Sequence, residues 1–389
     1  MATTNEVNQT KGLTAIKDGA NALINEVSRG LIGREEESLV GALAILTKTH
    51  ASFIGEAGLG KSLIIRRLAS SVDANYYEYL MTKYTVPDEI VGSIDPIEYQ
   101  KGKYTRMTKG TIIEGEVAFI DEIFKGSSDT LNALLTIMNE RVYADPSGFR
   151  AKVPLMSLFG ASNEYPNDPE LAPFYDRFTL KHYMKRISSD KLETAIQHVA
   201  TGNYDIVKPV VNKQFVEDAY KVIGQYMVDN IQLLSKETSK LVELMRGHGL
   251  FVSDRTAISY LPRMITTHFV VKGGSLQKSA IAVSKYLLPN NEDALESYKN
   301  ALNDLYPPEI REAQTKLEQA REKATSGQLG DAKKLSAEAV QLAQSLFSKP
   351  EKMNLFKTEL NDLIKECEDM VRDITQFEVN LKKFGKGGQ

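Results

Sequence analysis

The chain has 389 residues, 42% of them hydrophobic and 25% charged, with a formal net charge of −3 and a pI near 6.1. That length suits about two to three soluble domains, and that charge provides no global pull toward nucleic acid. A single cysteine, Cys367, excludes an internal disulfide and gives no Cys metal site, and no run of about 18 apolar residues exists to span a membrane, so a reducing, cytoplasmic setting is expected.

In chain order, residues 1–12 are polar and expected to fray. Leu13, Ile16, Ala20, Leu23 and Ile24 then recur at a helical period. After Leu31-Ile32-Gly33-Arg34, the acidic run Glu35–Glu37 opens a second helix through Leu46, since carboxylates favour a helix N-terminus. The apolar Ala51–Ile54 reads as a buried parallel strand. Directly behind it, Gly55-Glu56-Ala57-Gly58-Leu59-Gly60-Lys61-Ser62 fits G-x-x-x-x-G-K-[ST] at every fixed position, and Leu63 onward reads as a helix. Glycines let backbone N–H groups close around phosphate oxygens, and the helix N-terminus adds its positive end. In this reading Lys61 reaches the β- and γ-phosphates and Ser62 ligates Mg²⁺.

Tyr76–Leu80 reads as a strand from its aromatic content. Thr85 is expected to cap a short helix that Gly92 ends, and Ile97–Gln100 with Lys103–Arg106 suggests a hairpin through Lys101-Gly102. Val117–Ile120 is a buried strand that delivers Asp121 and Glu122 at its C-terminal end, where ligands of open α/β sheets bind. Asp121 suits Mg²⁺, and Glu122 suits polarising a water for attack on the γ-phosphate. Ser128–Arg141 is a helix, and Val142–Ala144 with Phe149–Val153 flank a turn at Asp145-Pro146-Ser147-Gly148. Leu155–Ser162 is another buried strand. Asn163 at its end would stand beside Asp121 and Glu122 if the two strands are neighbours, and could then orient the attacking water; alone, it reads as a turn residue.

Asp176-Arg177-Phe178 follows a Pro-rich loop, and Ser253-Asp254 is a cap-like pair ahead of Arg255 and a helix Thr256–Met264. On residue type alone both arginines read as surface charges. Strand signals end near Ile187–Asp190. From about Pro307 the composition turns to Glu, Lys, Gln, Ala and Leu, with a 4-3 apolar seam from Phe356 to Phe384 that an antiparallel bundle would bury, Cys367 included. The five histidines have no metal-ligand spacing.

Together, Leu31–Arg34, the Gly55–Ser62 loop, Phe119–Glu122, Gly160–Glu164, Asp176–Phe178 and Ser253–Arg255 occur in the order seen in AAA+ ATPases. The wording around them, at Gly110–Lys125 and Leu131–Val142, resembles the MoxR family and its RavA-like branch. The resemblance implies an α/β P-loop core with a parallel five-stranded sheet over 29–189 behind an N-terminal segment of 1–28, an all-α lid over 190–305 and a helical bundle over 306–389. It implies ATP and Mg²⁺ as ligands, with Leu31, Ile32 and Gly33 at the adenine and Gly55–Leu63 around the phosphates. It makes Asn163 the sensor 1 residue, Arg177 an arginine finger for a neighbouring subunit and Arg255 the sensor 2 arginine. Ile97–Arg106 resembles a helix 2 insert and Val142–Val153 a pre-sensor 1 insert, both facing a ring's pore.

The implied function is a ring-forming, hexameric ATPase that remodels protein clients, a von Willebrand factor A domain protein among them. A nucleic-acid motor is the alternative, with Lys101, Lys103, Arg106, Lys109, Arg150 and Lys152 as phosphate contacts. A scaffold that nucleotide only stabilises is the third.

Overall fold

The structure is a computed structural model describing residues 4–166, 168–200, 207–288, 292–305, 308–346, 360–361 and 363–376. Among these, the strands are β1 (Ala51–Ile54), β2 (Tyr76–Leu80), β3 (Val117–Asp121), β4 (Val142–Ala144), β5 (Arg150–Lys152), β6 (Ser157–Ser162) and β7 (Leu180–Tyr183). Five form one parallel sheet in the order β2-β3-β6-β1-β7, as the resemblance implied. β4 and β5 pair antiparallel by themselves, as the turn residues at Asp145–Gly148 require.

β6 is inserted between β3 and β1, with Ile120 opposite Gly160 and Ile54 opposite Ser162. The three C-terminal ends therefore meet on one edge of the sheet. The interior is apolar on both faces: Phe53, Phe119 and Phe159 are buried, and the Phe53 and Phe159 rings stack at 6.1 Å. His50 is buried with them. Its Nδ1 accepts from the Leu158 N–H at 2.9 Å, which leaves Nε2 to donate to the Met138 carbonyl at 3.0 Å.

The helices in chain order are α1 (Thr4–Ser28), α2 (Glu35–Thr47), α3 (Lys61–Ser71), α4 (Pro87–Val91), α5 (Pro96–Gln100), α6 (Ser128–Glu140), α7 (Ala172–Tyr175) and α8 (Ser189–Ala200). They continue as α9 (Lys213–Asp229), α10 (Ile231–Gly247), α11 (Leu261–Lys272), α12 (Leu276–Ser284), α13 (Glu292–Leu305), α14 (Pro308–Thr325) and α15 (Leu329–Ser345). α1 packs on α2, α3, α9 and α11, so residues 4–12 are helical where fraying was expected. Tertiary burial of its Ile16, Ala20, Leu23 and Val27 face overrides the weak helix propensity of the Thr- and Asn-rich start.

Two local expectations are corrected. Ile97–Arg106 is not a hairpin: Asp95 caps α5 by accepting from the Ile97 N–H at 2.9 Å, and only an isolated Ile94–Arg106 bridge closes the loop. The Asp-Pro pair at helix positions N-cap and N1 outweighed the alternating pattern. Thr85 does not cap α4. The cap residue is Val86, whose N–H donates to Glu89 at 3.2 Å, while the Thr85 hydroxyl accepts from the Thr82 N–H at 3.0 Å. The strand β7 carries no local signal of its own, because Lys181 and His182 interrupt its apolar pattern.

The chain separates into two compact units, 1–295 and 296–389. In the second, Ile310, Ala313, Leu317, Ala339, Ala343, Leu360, Leu363 and Cys367 form one buried cluster. Burial pushes the Cys367 thiol up to about 11, as suits a core residue rather than a reactive one. The seam positions Phe356, Phe377, Leu381 and Phe384 lie outside the described residues. No helix among the described residues is long and apolar enough to cross a membrane.

Acid sensitivity follows from the first unit. Burial, with Lys272 and Lys285 nearby, pulls the His268 pKa down to about 4, and burial, with Arg141 nearby, holds His50 well below 6.5. Unfolded histidines bind a proton below about pH 6.5, whereas folded His268 stays neutral until about 4. Between those values the unfolded state holds more protons, so lowering the pH destabilises the fold by about 1.4 kcal/mol per pH unit per such group. Denaturant titrations at pH 7 and pH 5 should show the loss, and His268→Gln should reduce it.

Candidate nucleotide site

The loop after β1 is shaped by glycine. The Gly55 N–H donates to the Ser162 carbonyl at 3.1 Å, and a Cβ on Gly55 would stand 2.7 Å from the Met184 carbonyl, too close for any side chain. Gly58 and Gly60 have φ of 83° and 86°, and a Cβ at either meets nothing within 4 Å, so bare backbone faces open space. α3 starts at Lys61 with Gly60 as N-cap and no side chain capping it. Its first-turn N–H groups and positive end therefore remain available to an anion.

Lys61 is nearly buried, at 7% exposure. Its Nζ donates to the carbonyls of Gly55 at 2.6 Å and Glu56 at 3.2 Å, and to Asn163 Oδ1 at 3.0 Å. Burial pulls its pKa down, while Asp121 and Glu122 pull it up. Asn163 Nδ2 in turn donates to Glu122 Oε1 at 2.6 Å. Lys61, Asn163 and Glu122 thus form one hydrogen-bonded chain across the ends of β1, β6 and β3. Glu122 sits in the left-handed region at φ 51°, a strained conformation for a non-glycine residue, and such strain concentrates where a side chain must be aimed. Lys125 lies 3.4 Å from its other oxygen. Asp121 Oδ1 accepts the Glu122 N–H at 2.9 Å, which orients the carboxylate.

Beside the loop is a cavity of about 520 Å³ lined by Gly33, Arg34, Tyr183, Arg186, Ile187 and Tyr286, among others. Arg186 links it to the phosphate loop through Glu56 at 2.6 Å. Of the three residues expected at the base, Gly33 lines this cavity, and Leu31 and Ile32 are not among its lining residues.

Arg177 and Arg255 gather elsewhere. Arg255 Nη2 donates to Asp176 Oδ2 at 2.7 Å and to the Asp176 carbonyl at 2.9 Å, and its Nη1 to Asn139 at 3.3 Å. Arg177 Nη1 lies 3.7 Å from Asp176 Oδ2 and donates to the Pro173 carbonyl at 3.2 Å. Ser253 caps ahead of Arg255, its Oγ accepting from the Thr256 N–H at 3.2 Å. The two arginines are thus brought together, but bonded to Asp176 rather than to Lys61, Asn163 or Glu122.

Asp176 and Phe124 shape the site beside the residues expected there. Phe124, two residues after Glu122, packs edge-on against Phe174, Tyr175 and Phe178 at ring distances of 6.4, 5.5 and 6.3 Å. A Cβ on Gly160 would meet Phe178 at 2.8 Å, so this glycine is what lets the ring lie on the sheet. The aromatic spacing at 174, 175 and 178 was the available signal.

Arg106, expected as a phosphate contact in the nucleic-acid alternative, is committed internally. It donates to Asp145 at 2.7 Å, Asp88 at 2.7 Å and the Gly92 carbonyl at 2.6 Å. Its guanidinium also lies 5.6 Å over Tyr143. It ties the loop around α5 to the β4–β5 hairpin. Lys101 is paired with Glu98 at 2.7 Å.

Comparison with known proteins gives a consistent result. A family model described as the MoxR domain in the MoxR-vWA-beta-propeller ternary systems matches residues 19–214. An uncharacterized protein of Methanocaldococcus jannaschii is 36% identical over 231 residues, which are 59% of this chain and 60% of that one. The chain spans about three fifths of the length of that relative and of a second from the same organism. A Mycobacterium tuberculosis protein described as chaperone MoxR1 is 28% identical over 134 residues, 34% of each chain. A solved structure from Cytophaga hutchinsonii, described as a candidate ATPase, superposes with a TM-score of 0.61 over 77% of this chain and 98% of that one, at 17% identity, a likeness of fold alone.

Proposed function

The chain belongs to the MoxR family of AAA+ ATPases, and from that premise we propose that it hydrolyses ATP as a ring and uses the cycle to remodel or mature protein partners. The carrying observation is the Lys61–Asn163–Glu122 chain at the mouth of the glycine loop. It supports a reading with a cation for the phosphates, a carboxylate for the water and an amide between them, at the meeting point of three strands. The loop amides and Lys61 hold the triphosphate, and Gly33 and the adjoining cavity take the base. Glu122 accepts the proton of the attacking water, and Asn163 orients that water. Ser62 and Asp121 are the residues that would hold Mg²⁺, whose charge offsets that on the phosphates. Arg177 acts on the nucleotide of the next subunit. Arg255, bonded to the same Asp176, works from the same side.

In this proposal residues 190–305 form the lid, and the loop around α5 and the β4–β5 hairpin face a pore, in a cytoplasmic enzyme. The partner class, a von Willebrand factor A domain protein, comes from the description of the matching family model. The RavA-like branch rests on the sequence resemblance only.

A finger supplied in trans makes catalysis depend on assembly. Phosphate release per chain should rise with protein concentration, in step with a species several-fold larger in sedimentation with ATP and Mg²⁺. A rate per chain that is flat across the assembly transition would sink the ring requirement. Chelating the metal should remove turnover.

A further inference from the structure

We propose that Asp176 is a positioning residue that holds Arg177 and Arg255 as one pair, so that both reach a single phosphate group of the neighbouring subunit; this rests on the in-trans reading above. Two guanidiniums flank this one carboxylate, and a lysine lies within its field. Arg255 meets it at 2.7 Å and Arg177 at 3.7 Å. Lys181, on β7, lies close enough for Asp176 and Arg255 to act on it in opposite directions, and burial pulls its pKa down to about 8. The Lys181 amine lies 5.0 Å over the Tyr175 ring and donates to the Leu287 carbonyl at 3.3 Å. The cluster therefore carries an excess of positive charge that an incoming polyphosphate would offset.

The arginines also repel one another. Burial and the charge of Arg255 both pull the Arg177 pKa down, and Asp176 opposes them. The Nε of each arginine is buried without a hydrogen-bond partner, so neither guanidinium is saturated by its present contacts. Without the carboxylate, two like charges on long flexible side chains would separate. Asp176 itself is well fixed. Its N–H donates to the Ala172 carbonyl at 2.9 Å as the α7 C-cap, and Tyr175 and Phe178 on either side of the pair anchor the segment against Phe124. Because Arg255 comes from the helices after α10 and Arg177 from the segment after α7, Asp176 also sets where those two segments meet.

The test uses the full chain in assembled form. Asp176→Asn should lower kcat for ATP at least about tenfold while leaving KM nearly unchanged, because the variant's own nucleotide pocket is intact. Asp176→Glu should recover most of the loss. Mixing Asp176→Asn with Lys61→Ala chains should restore part of the turnover, because the Lys61→Ala subunits present intact arginines to the Asp176→Asn sites. If Asp176→Asn folds poorly, Arg177→Ala and Arg255→Gln take its place: each should lose turnover and be rescued by Lys61→Ala chains. The double variant should lose less than the product of the two single losses. Wild-type kcat in Asp176→Asn overturns the proposal. So does a loss that mixing does not rescue under conditions where Arg177→Ala is rescued. If Arg177→Ala is itself not rescued, the in-trans reading fails and this inference falls with it.

Discussion

Glu122→Gln is expected to keep ATP affinity and lower turnover by about 10²–10⁴-fold, the range for loss of a general base. Glutamine has the same length, and its Oε1 can still accept from Asn163 Nδ2, so the contact seen at 2.6 Å survives the substitution. The left-handed backbone at residue 122 comes from the turn between β3 and Ile123 and makes no demand on the charge. What is lost is the carboxylate that would take the water's proton. Calorimetric titration with ATP should give a dissociation constant within a few-fold of wild type, and single-turnover phosphate release should nearly vanish. Normal turnover would remove Glu122 from the mechanism. The same variant, loaded with ATP, should also retain its protein partner long enough for capture, which makes it the form of choice for identifying that partner.

Arg177→Ala is expected to fold, bind ATP and lose about 10³–10⁵ in rate, the contribution of an arginine finger to phosphoryl transfer. Folding should survive because the side chain is partly exposed and its structural ties are one carbonyl at 3.2 Å and a 3.7 Å ion pair. The apolar anchoring of this segment belongs to Phe174 and Phe178, which the substitution leaves in place. Mixed with Lys61→Ala chains, the variant should regain activity, because each mutant supplies what the other lacks. Mixing ratios scanned by phosphate release should give a maximum at intermediate composition. A flat, inactive series would place the arginine's role inside its own subunit or outside the reaction.

Much of the candidate site could be read from residues alone. The glycine loop, Lys61, Ser62, Asp121 and Glu122 are contiguous motifs whose function depends on local backbone geometry, and local geometry is what short sequence patterns encode. The buried strands were legible for a related reason: a strand covered on both faces needs an unbroken apolar run. Where polar residues interrupted the run, as at Lys181 and His182, the strand was invisible. Where an Asp-Pro pair competed with alternation, as at Asp95-Pro96, the wrong element was expected.

By itself the sequence determined the phosphate loop, the acidic strand end, the first strands of the sheet and the apolar seam that buries Cys367. Tertiary structure alone decided which distant residues meet. Asn163 reaches both Lys61 and Glu122 because β6 is inserted between β1 and β3, an order that no local pattern states. Arg255, 79 positions from Asp176, became its ion-pair partner, and Arg106 became bonded to Asp88 and Asp145. The physical reason is common to all three. A charge or amide gains its role from the partner that desolvation forces on it, and that partner is set by strand order and helix packing rather than by neighbours along the chain.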